Sequence, residues 1–150
     1  MKSIKAKVLE YLQQEDWNYE ESDEKVIHTG IKGENCNYHL FFICEEKKNQ
    51  MVLIGFQETA IPEQYRSKAA ELLTRANLGL MVGSFIMDFD NGDYRFRIGI
   101  NLEDGKLSSA MIRNYIAITY KMLDDMYPCI KKLNYSETDI DELYDEWIKN

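Results

Sequence analysis

Apolar residues at Ile4, Val8, Tyr11 and Leu12 fall at i, i+4, i+7 and i+8, and predict an amphipathic helix over residues 3–14 whose other face is charged. From Trp17 to Ile31 the texture turns β-branched and aromatic, with Gly30 and Gly33 as punctuation, so a strand is expected over 25–29 after a turn at 22–24. Two β-rich runs follow, 37–46 (NYHLFFICEE) and 50–57 (QMVLIGFQ), joined by Lys47, Lys48 and Asn49 in the pattern of an antiparallel hairpin.

Pro62 suits a first helical position, where its missing N–H costs nothing, and Tyr65, Ala69, Leu72, Leu73 and Ala76 continue at helical spacing to a stop near Gly79. Residues 85–90 and 93–101 then flank Asn91-Gly92, a dipeptide that tolerates positive φ and predicts a two-residue type I′ hairpin turn. That register sets Phe89 opposite Tyr94, Met87 opposite Phe96 and Phe85 opposite Ile98 on a core face. Asp88 then lies opposite Arg95, and Ile86 opposite Arg97, on the other face. After a turn at 103–105, Ser108 or Ser109 caps a long helix with a broad apolar stripe that includes Met111, Tyr115, Met122 and Met126. Pro128 is expected to end or kink it. Ser136, with Asp139 three residues on, opens an appended acidic helix over 136–150, with Ile140, Leu143, Tyr144, Trp147 and Ile148 as its apolar stripe. That stripe either docks on the body or is a detachable cover over a groove, and Trp147 reports the difference.

No repeat, low-complexity tract or linker divides the chain, so residues 1–150 read as a single domain. The order α-β-β-β-α-β-β-α-α, with hairpins and no strand–helix–strand alternation, predicts an α+β fold: an antiparallel sheet with helices packed on one side. The strands hold more apolar residues than one covered face needs. Part of the other face is therefore expected to meet a second copy or a client protein, with Ile86, Arg95 and Arg97 as the expected contacts.

Composition narrows the classes. With 150 residues, 45% of them hydrophobic, the chain fits one compact domain. Its 26 acidic against 18 basic residues leave a formal charge of −8, which repels a phosphate backbone, so no nucleic-acid partner is expected. Met1 to Asp16 carries no apolar stretch of the kind an export signal needs, and the longest apolar runs, 40–44 and 51–54, are far short of the roughly 18 residues of a membrane span. A soluble cytoplasmic protein with no membrane partner is expected. Cys36, Cys44 and Cys129 show no C-x-x-C spacing and read as reduced, mostly buried thiols.

Candidate chemistry is sparse. His28 and His39 both lie in expected strands and no nucleophile motif accompanies either, which favours structural histidines. Gly79 to Gly83 (GLMVG) has neither P-loop nor dinucleotide spacing. The acidic run from Asp88 to Asp93 fails a calcium loop, because Gly92 stands at position five and Gly99 where a bidentate Glu is required. Asp124 and Asp125 point about 100° apart on a helix and do not aim at one ion. Tyr94 and Phe96 with Arg95 and Arg97 suggest a base-stacking platform, but the hairpin pairing buries those rings.

Asn77, Gly83-Ser84-Phe85-Ile86-Met87-Asp88, the Asp90-Asn91-Gly92 turn, Phe96-Arg97, the serine-capped helix from Ser108, and Tyr127-Pro128 together resemble the YbjN-like family. That family is described as bacterial sensory transduction regulators with the fold of type III secretion chaperones. The resemblance spans residues 62–133 at motif level and the first half through its helix-then-strands order; Leu78-Gly79-Leu80 departs from it in being glycine-interrupted. It implies a small α+β domain, often dimeric, that binds other proteins and has no established catalytic centre. No enzyme activity and no cofactor are therefore expected, and no catalytic residue carries over. The expected function is non-enzymatic protein binding, chaperone-like or regulatory. The alternative is a sensor that holds a small apolar ligand in a cup between sheet and long helix, lined by Phe96, Met111, Tyr115 and Met122; such side chains are more often ordinary core, because a pocket in so small a domain competes with packing density.

Overall fold

The computed structural model describes residues 2–103, 105–135 and 137–150. The expected α+β order is found, with one short strand in addition. Helix α1 (Ile4–Gln14) is followed by strands β1 (Tyr19–Glu21), β2 (Val26–Lys32), β3 (Asn37–Glu45) and β4 (Gln50–Phe56). Helix α2 (Arg66–Leu78), strands β5 (Ser84–Met87) and β6 (Tyr94–Asn101), and helices α3 (Ser109–Tyr135) and α4 (Ile140–Ile148) complete it. The strands form one six-stranded antiparallel sheet in the order β1-β2-β3-β4-β6-β5.

Ser3 caps α1, its hydroxyl accepting from the Ala6 N–H, and Ile4, Val8, Tyr11 and Leu12 are the buried stripe. Alternate residues of the strands point toward the helices: Ile27 and Thr29, then Tyr38, Leu40, Phe42 and Cys44, then Met51 and Leu53, then Tyr94, Phe96 and Ile98, all buried. They form two adjoining clusters, one under α1 and the start of α3, the other under α2, α4 and the rest of α3. Helix α3 crosses β4 closely at Gly55, where a Cβ would lie 2.5 Å from Thr119 Cγ2 and 2.8 Å from Leu123 Cδ1.

Three expectations about local geometry are corrected. The β5–β6 hairpin pairs Ser84 with Arg97, Phe85 with Phe96, Ile86 with Arg95 and Met87 with Tyr94, two residues from the expected register. The link is a four-residue loop between Asp88 and Asp93, closed by the Asp88 N–H donating to the Asp93 carbonyl. Asp88 and Asn91 side chains accept from the Asp90 and Asp93 N–H groups, and Gly92 takes φ 80°. Arg66 holds the loop open by donating to the carbonyls of Phe89 and Asp90. A shift of two keeps the parity, so the faces are as expected, except that Phe89 lies in the loop, 54% exposed.

Pro128 does not end its helix, which runs for 27 residues, from Ser109 to Tyr135. A proline leaves the carbonyl four residues earlier without its helical donor; here that is Asp124, and the Asn35 side-chain amide donates to it at 2.8 Å. Pro62, expected as the first helical residue, instead precedes a single 3-10 turn (Glu63–Tyr65) with ψ 148°, and α2 begins at Arg66. Ser136, the expected opener of the last helix, lies outside the described residues; Asp139 stands at the N-cap of α4 without a side-chain cap bond. Helix α4 is docked: Leu143 is fully buried, the Trp147 ring meets Phe85 edge-on at 5.6 Å, and Arg75–Asp141 and Lys132–Glu146 pair at 2.8 Å.

The close approach at Gly55 gives a test. Gly55→Val forces α3 off the sheet and is expected to lower unfolding free energy by about 1–3 kcal/mol. Gly99→Val, where a Cβ meets nothing within 4 Å, is expected to leave it within about 0.5 kcal/mol. Urea denaturation of both variants checks the contrast.

Candidate functional site

All the helices described lie on one side of the sheet, so its second face is open. Antiparallel pairing sorts that face into three cross-strand rows. One reads Glu20, His28, Phe41, Ile54, Arg97 and Ser84; the second Gly30, His39, Phe56, Arg95 and Ile86; the third Val26, Ile43, Val52 and Gly99. Phe41, Ile43, Val52, Ile54, Phe56 and Ile86 are half-buried, shielded from water only by their neighbours on the face.

Through the middle runs a stack. His28 lies parallel to Phe41 with ring centroids 4.4 Å apart, Phe41 parallel to Phe56 at 5.7 Å, and the Arg95 guanidinium sits 4.8 Å from the Phe56 centroid. Directly opposite and diagonal cross-strand neighbours alternate along it, which is what brings rings from β2, β3 and β4 into line. Phe41 thus has a parallel ring on either side along the stack. Tyr94 and Phe96 are not part of it and are buried on the far side of the sheet. The surface offers aromatic rings and aliphatic side chains, the chemistry of protein docking.

His28 and His39 belong to this face. His39 Nε2 donates to the Glu58 carboxylate at 2.8 Å, which leaves its Nδ1 to accept from His28 Nε2 at 3.0 Å. The two rings and Glu58 thus form one hydrogen-bonded chain on this face. Among the described residues no group of three or more His, Cys, Asp or Glu is arranged to hold a metal ion.

The expected contacts Ile86, Arg95 and Arg97 all lie on this face, at its β5–β6 side. Arg95 approaches Asp93 at 3.9 Å, while Arg97 is exposed and makes no ion pair among the described residues. The surplus of apolar strand residues pointed to this second apolar face, but not to Phe41, Ile43, Val52, Ile54 and Phe56 as its centre. Its signal was that residues of both parities in NYHLFFICEE and QMVLIGFQ are apolar, meaning two apolar faces rather than one.

The four residues expected to line a ligand cup are spread along the core between the sheet and α3. Phe96 is fully buried core, Met111 and Met122 stand eleven residues apart on α3, roughly 16 Å along its axis. Tyr115 packs between the two core clusters. Met122 borders a cavity of about 250 Å³, shared with Tyr144 and Trp147.

The sheet edges are less available than its face. Strand β1 is three residues long. At the other edge the outward N–H and C=O of Phe85 are taken by the Asn77 side-chain amide at 2.7 and 2.9 Å, so a helix residue substitutes for a further strand.

Residues 5–132 match the YbjN family, whose description reads "Putative bacterial sensory transduction regulator". The chain belongs to the YbjN family. Two solved structures share its fold. One is described as the crystal structure of YbjN, a putative transcription regulator from E. coli, at 12% identity, TM-score 0.54, covering 78% of this chain and 83% of that one. The other is the structure of the HopA1-SchA chaperone-effector complex, at 22% identity, TM-score 0.51, covering 75% of this chain and 84% of that one. No curated protein matches the chain in sequence. The docked α4 lies beyond the residues that the family match covers. No described helix is long and apolar enough to cross a membrane.

Burial acts on all three thiols. Burial, with Glu46 nearby, pushes Cys44 up to about 12; burial, with Glu146 nearby, pushes Cys129 up to about 11; burial also raises Cys36. A raised pKa keeps each thiol protonated at neutral pH. At pH 8 the native chain is expected to react slowly with Ellman's reagent, half-exposed Cys36 first, and all three cysteines to react at once in guanidinium. Rapid reaction of Cys44 or Cys129 in the native chain contradicts this.

Proposed function

We propose that this chain is a non-enzymatic protein-binding domain, chaperone-like or regulatory, that docks partners on its open sheet face. One observation carries the reading: the stacked row His28–Phe41–Phe56–Arg95, flanked by Ile43, Val52, Ile54 and Ile86, stands on an uncovered face of a sheet whose edges are short or capped. Family membership as a sensory transduction regulator, and the fold shared with a protein solved in a chaperone-effector complex, support a protein partner. Aromatic and arginine anchors of this kind contribute most of the energy of typical interfaces.

The test is selection of displayed peptides on the immobilised chain, with Phe41→Asp and Ile54→Asp as counter-targets and circular dichroism as the check on folding. The expected result is enrichment of apolar sequences whose affinity falls at least about tenfold on either variant. Ile86→Asp, at the rim, is expected to weaken binding less. Absence of enrichment, or peptides that bind the folded variants equally well, removes this face as the docking site.

A further inference from the structure

We infer that His28 and His39 form a two-imidazole site for a divalent transition-metal ion that favours right-angled coordination, copper(II) or nickel(II). The site lies on the open face where β2 and β3 run side by side, in a cleft of about 490 Å³ that both rings line together with Glu20, Gly30 and Asn37. It does not depend on the docking role proposed for the phenylalanine centre of the face.

Separation is the first feature that suits an ion. His28 Nε2 and His39 Nδ1 face one another at 3.0 Å, so a single hydrogen stands between them. Two nitrogens bound at about 2.0–2.1 Å to one ion stand about 2.9 Å apart when they subtend a right angle, and about 3.4 Å apart at the tetrahedral angle. The pair is thus spaced for neighbouring corners of a square or an octahedron. Tautomer is the second. His39 gives its Nε2 hydrogen to the Glu58 carboxylate at 2.8 Å, which leaves the Nδ1 lone pair for the ion. A carboxylate behind the imidazole is the usual support of a metal-bound histidine. His28 reaches the matching state by moving its hydrogen from Nε2 to Nδ1, which has no partner among the described residues. Both rings are also held against the sheet before an ion arrives: His28 lies parallel to Phe41 at 4.4 Å, and His39 lies 5.3 Å from Phe56 at an interplanar angle of 26°.

The cleft leaves room for the ion and favours its charge. Gly30, directly opposite His39, has no side chain to fill the space beside the two rings. Glu20, directly across from His28 on β1, adds a carboxylate to the same cleft. The one amine on the cleft, Lys32, stands four residues beyond His28, about 13 Å along the strand. No third protein ligand is arranged among the described residues, so water fills the other positions and the ion is exchangeable. Imidazole nitrogen selects nickel, copper and zinc over calcium and magnesium, which take oxygen, and copper binds tightest in that series.

Calorimetric titration of Ni²⁺, which does not oxidise the thiols, into the full chain without a histidine tag tests the site. At about pH 7.5 one ion per chain is expected, with a roughly micromolar dissociation constant, and at about pH 5, where imidazoles are protonated, none. His28→Gln and His39→Gln are each expected to weaken binding at least about tenfold, and Glu58→Gln about tenfold through loss of the carboxylate behind His39. Absence of stoichiometric binding overturns the inference. Binding that is unchanged in both histidine variants is an adventitious ion only, and overturns it as well. Where a variant fails to fold by circular dichroism, the native chain decides: electron paramagnetic resonance of bound Cu²⁺ is expected to show a tetragonal signal split by two imidazole nitrogens, and a signal with fewer than two overturns the assignment.

Discussion

Helix α3 runs through a proline because the turn between β2 and β3 supplies the hydrogen bond that the proline removes. The Asn35 amide donates to the Asp124 carbonyl that Pro128 leaves open, and the Asp124 carboxylate in turn accepts from the Asn35 N–H at 3.2 Å and the Tyr38 hydroxyl at 2.7 Å. This carboxylate is buried, and burial with that bond pushes the Tyr38 hydroxyl far above its ordinary pKa. Gly33 is part of the same constraint, since a Cβ there would lie 2.6 Å from the Tyr38 ring. The node keeps α3 as one rod spanning both core clusters, against which α1 docks at one end and α4 at the other.

A rod on one side of a sheet decides what the other side can be. With α1, α2, α3 and α4 all packed on the core face, nothing in the described chain covers Phe41, Ile54 and Phe56. The chain limits that exposure by turning aromatic faces against one another and laying Arg95 over the end of the stack. Stacking of this kind shields part of the π-surface in a patch of rings and branched aliphatics. It also rigidifies the patch, which lowers the side-chain entropy lost when a partner docks. The Asn77 clamp on Phe85 acts at the sheet edge: by occupying the outward N–H and C=O it disfavours open-ended strand addition there.

Most of the fold was legible because it rests on periodicity. The stripe Ile4, Val8, Tyr11 and Leu12, the 37–46 and 50–57 hairpin and the helix from Ser109 follow from spacing alone. The features that were not legible are those set by contacts distant in sequence. The Asn91-Gly92 signal asked for a two-residue turn, but Arg66, more than twenty residues earlier, holds the loop carbonyls and widens it to four. Pro128 signalled a helix end, and the residue that overrides it is Asn35 on another element. At the candidate site Ile86, Arg95 and Arg97 could be placed because the hairpin fixes parity even when the register slips by two. Phe41 and Phe56 could not, because unbroken apolar runs such as LFFIC do not say which face is covered until the helices are placed.

The charge distribution bears on which partners such a face admits. A chain of net charge −8 repels other acidic molecules at long range, but that field is screened over roughly 8 Å at physiological ionic strength. The acidic side of α4, with Asp141, Glu142, Asp145 and Glu146, lies beyond the sheet from the open face, with at least one layer spacing of about 10 Å between them. At contact the local charges therefore decide, and near the middle of the face the exposed one is Arg97. On the proposed reading, a partner presents apolar surface to Phe41 and Ile54 together with a carboxylate near Arg97. Distant repulsion and local attraction thus act on different length scales, and the face selects for a pattern rather than for net charge.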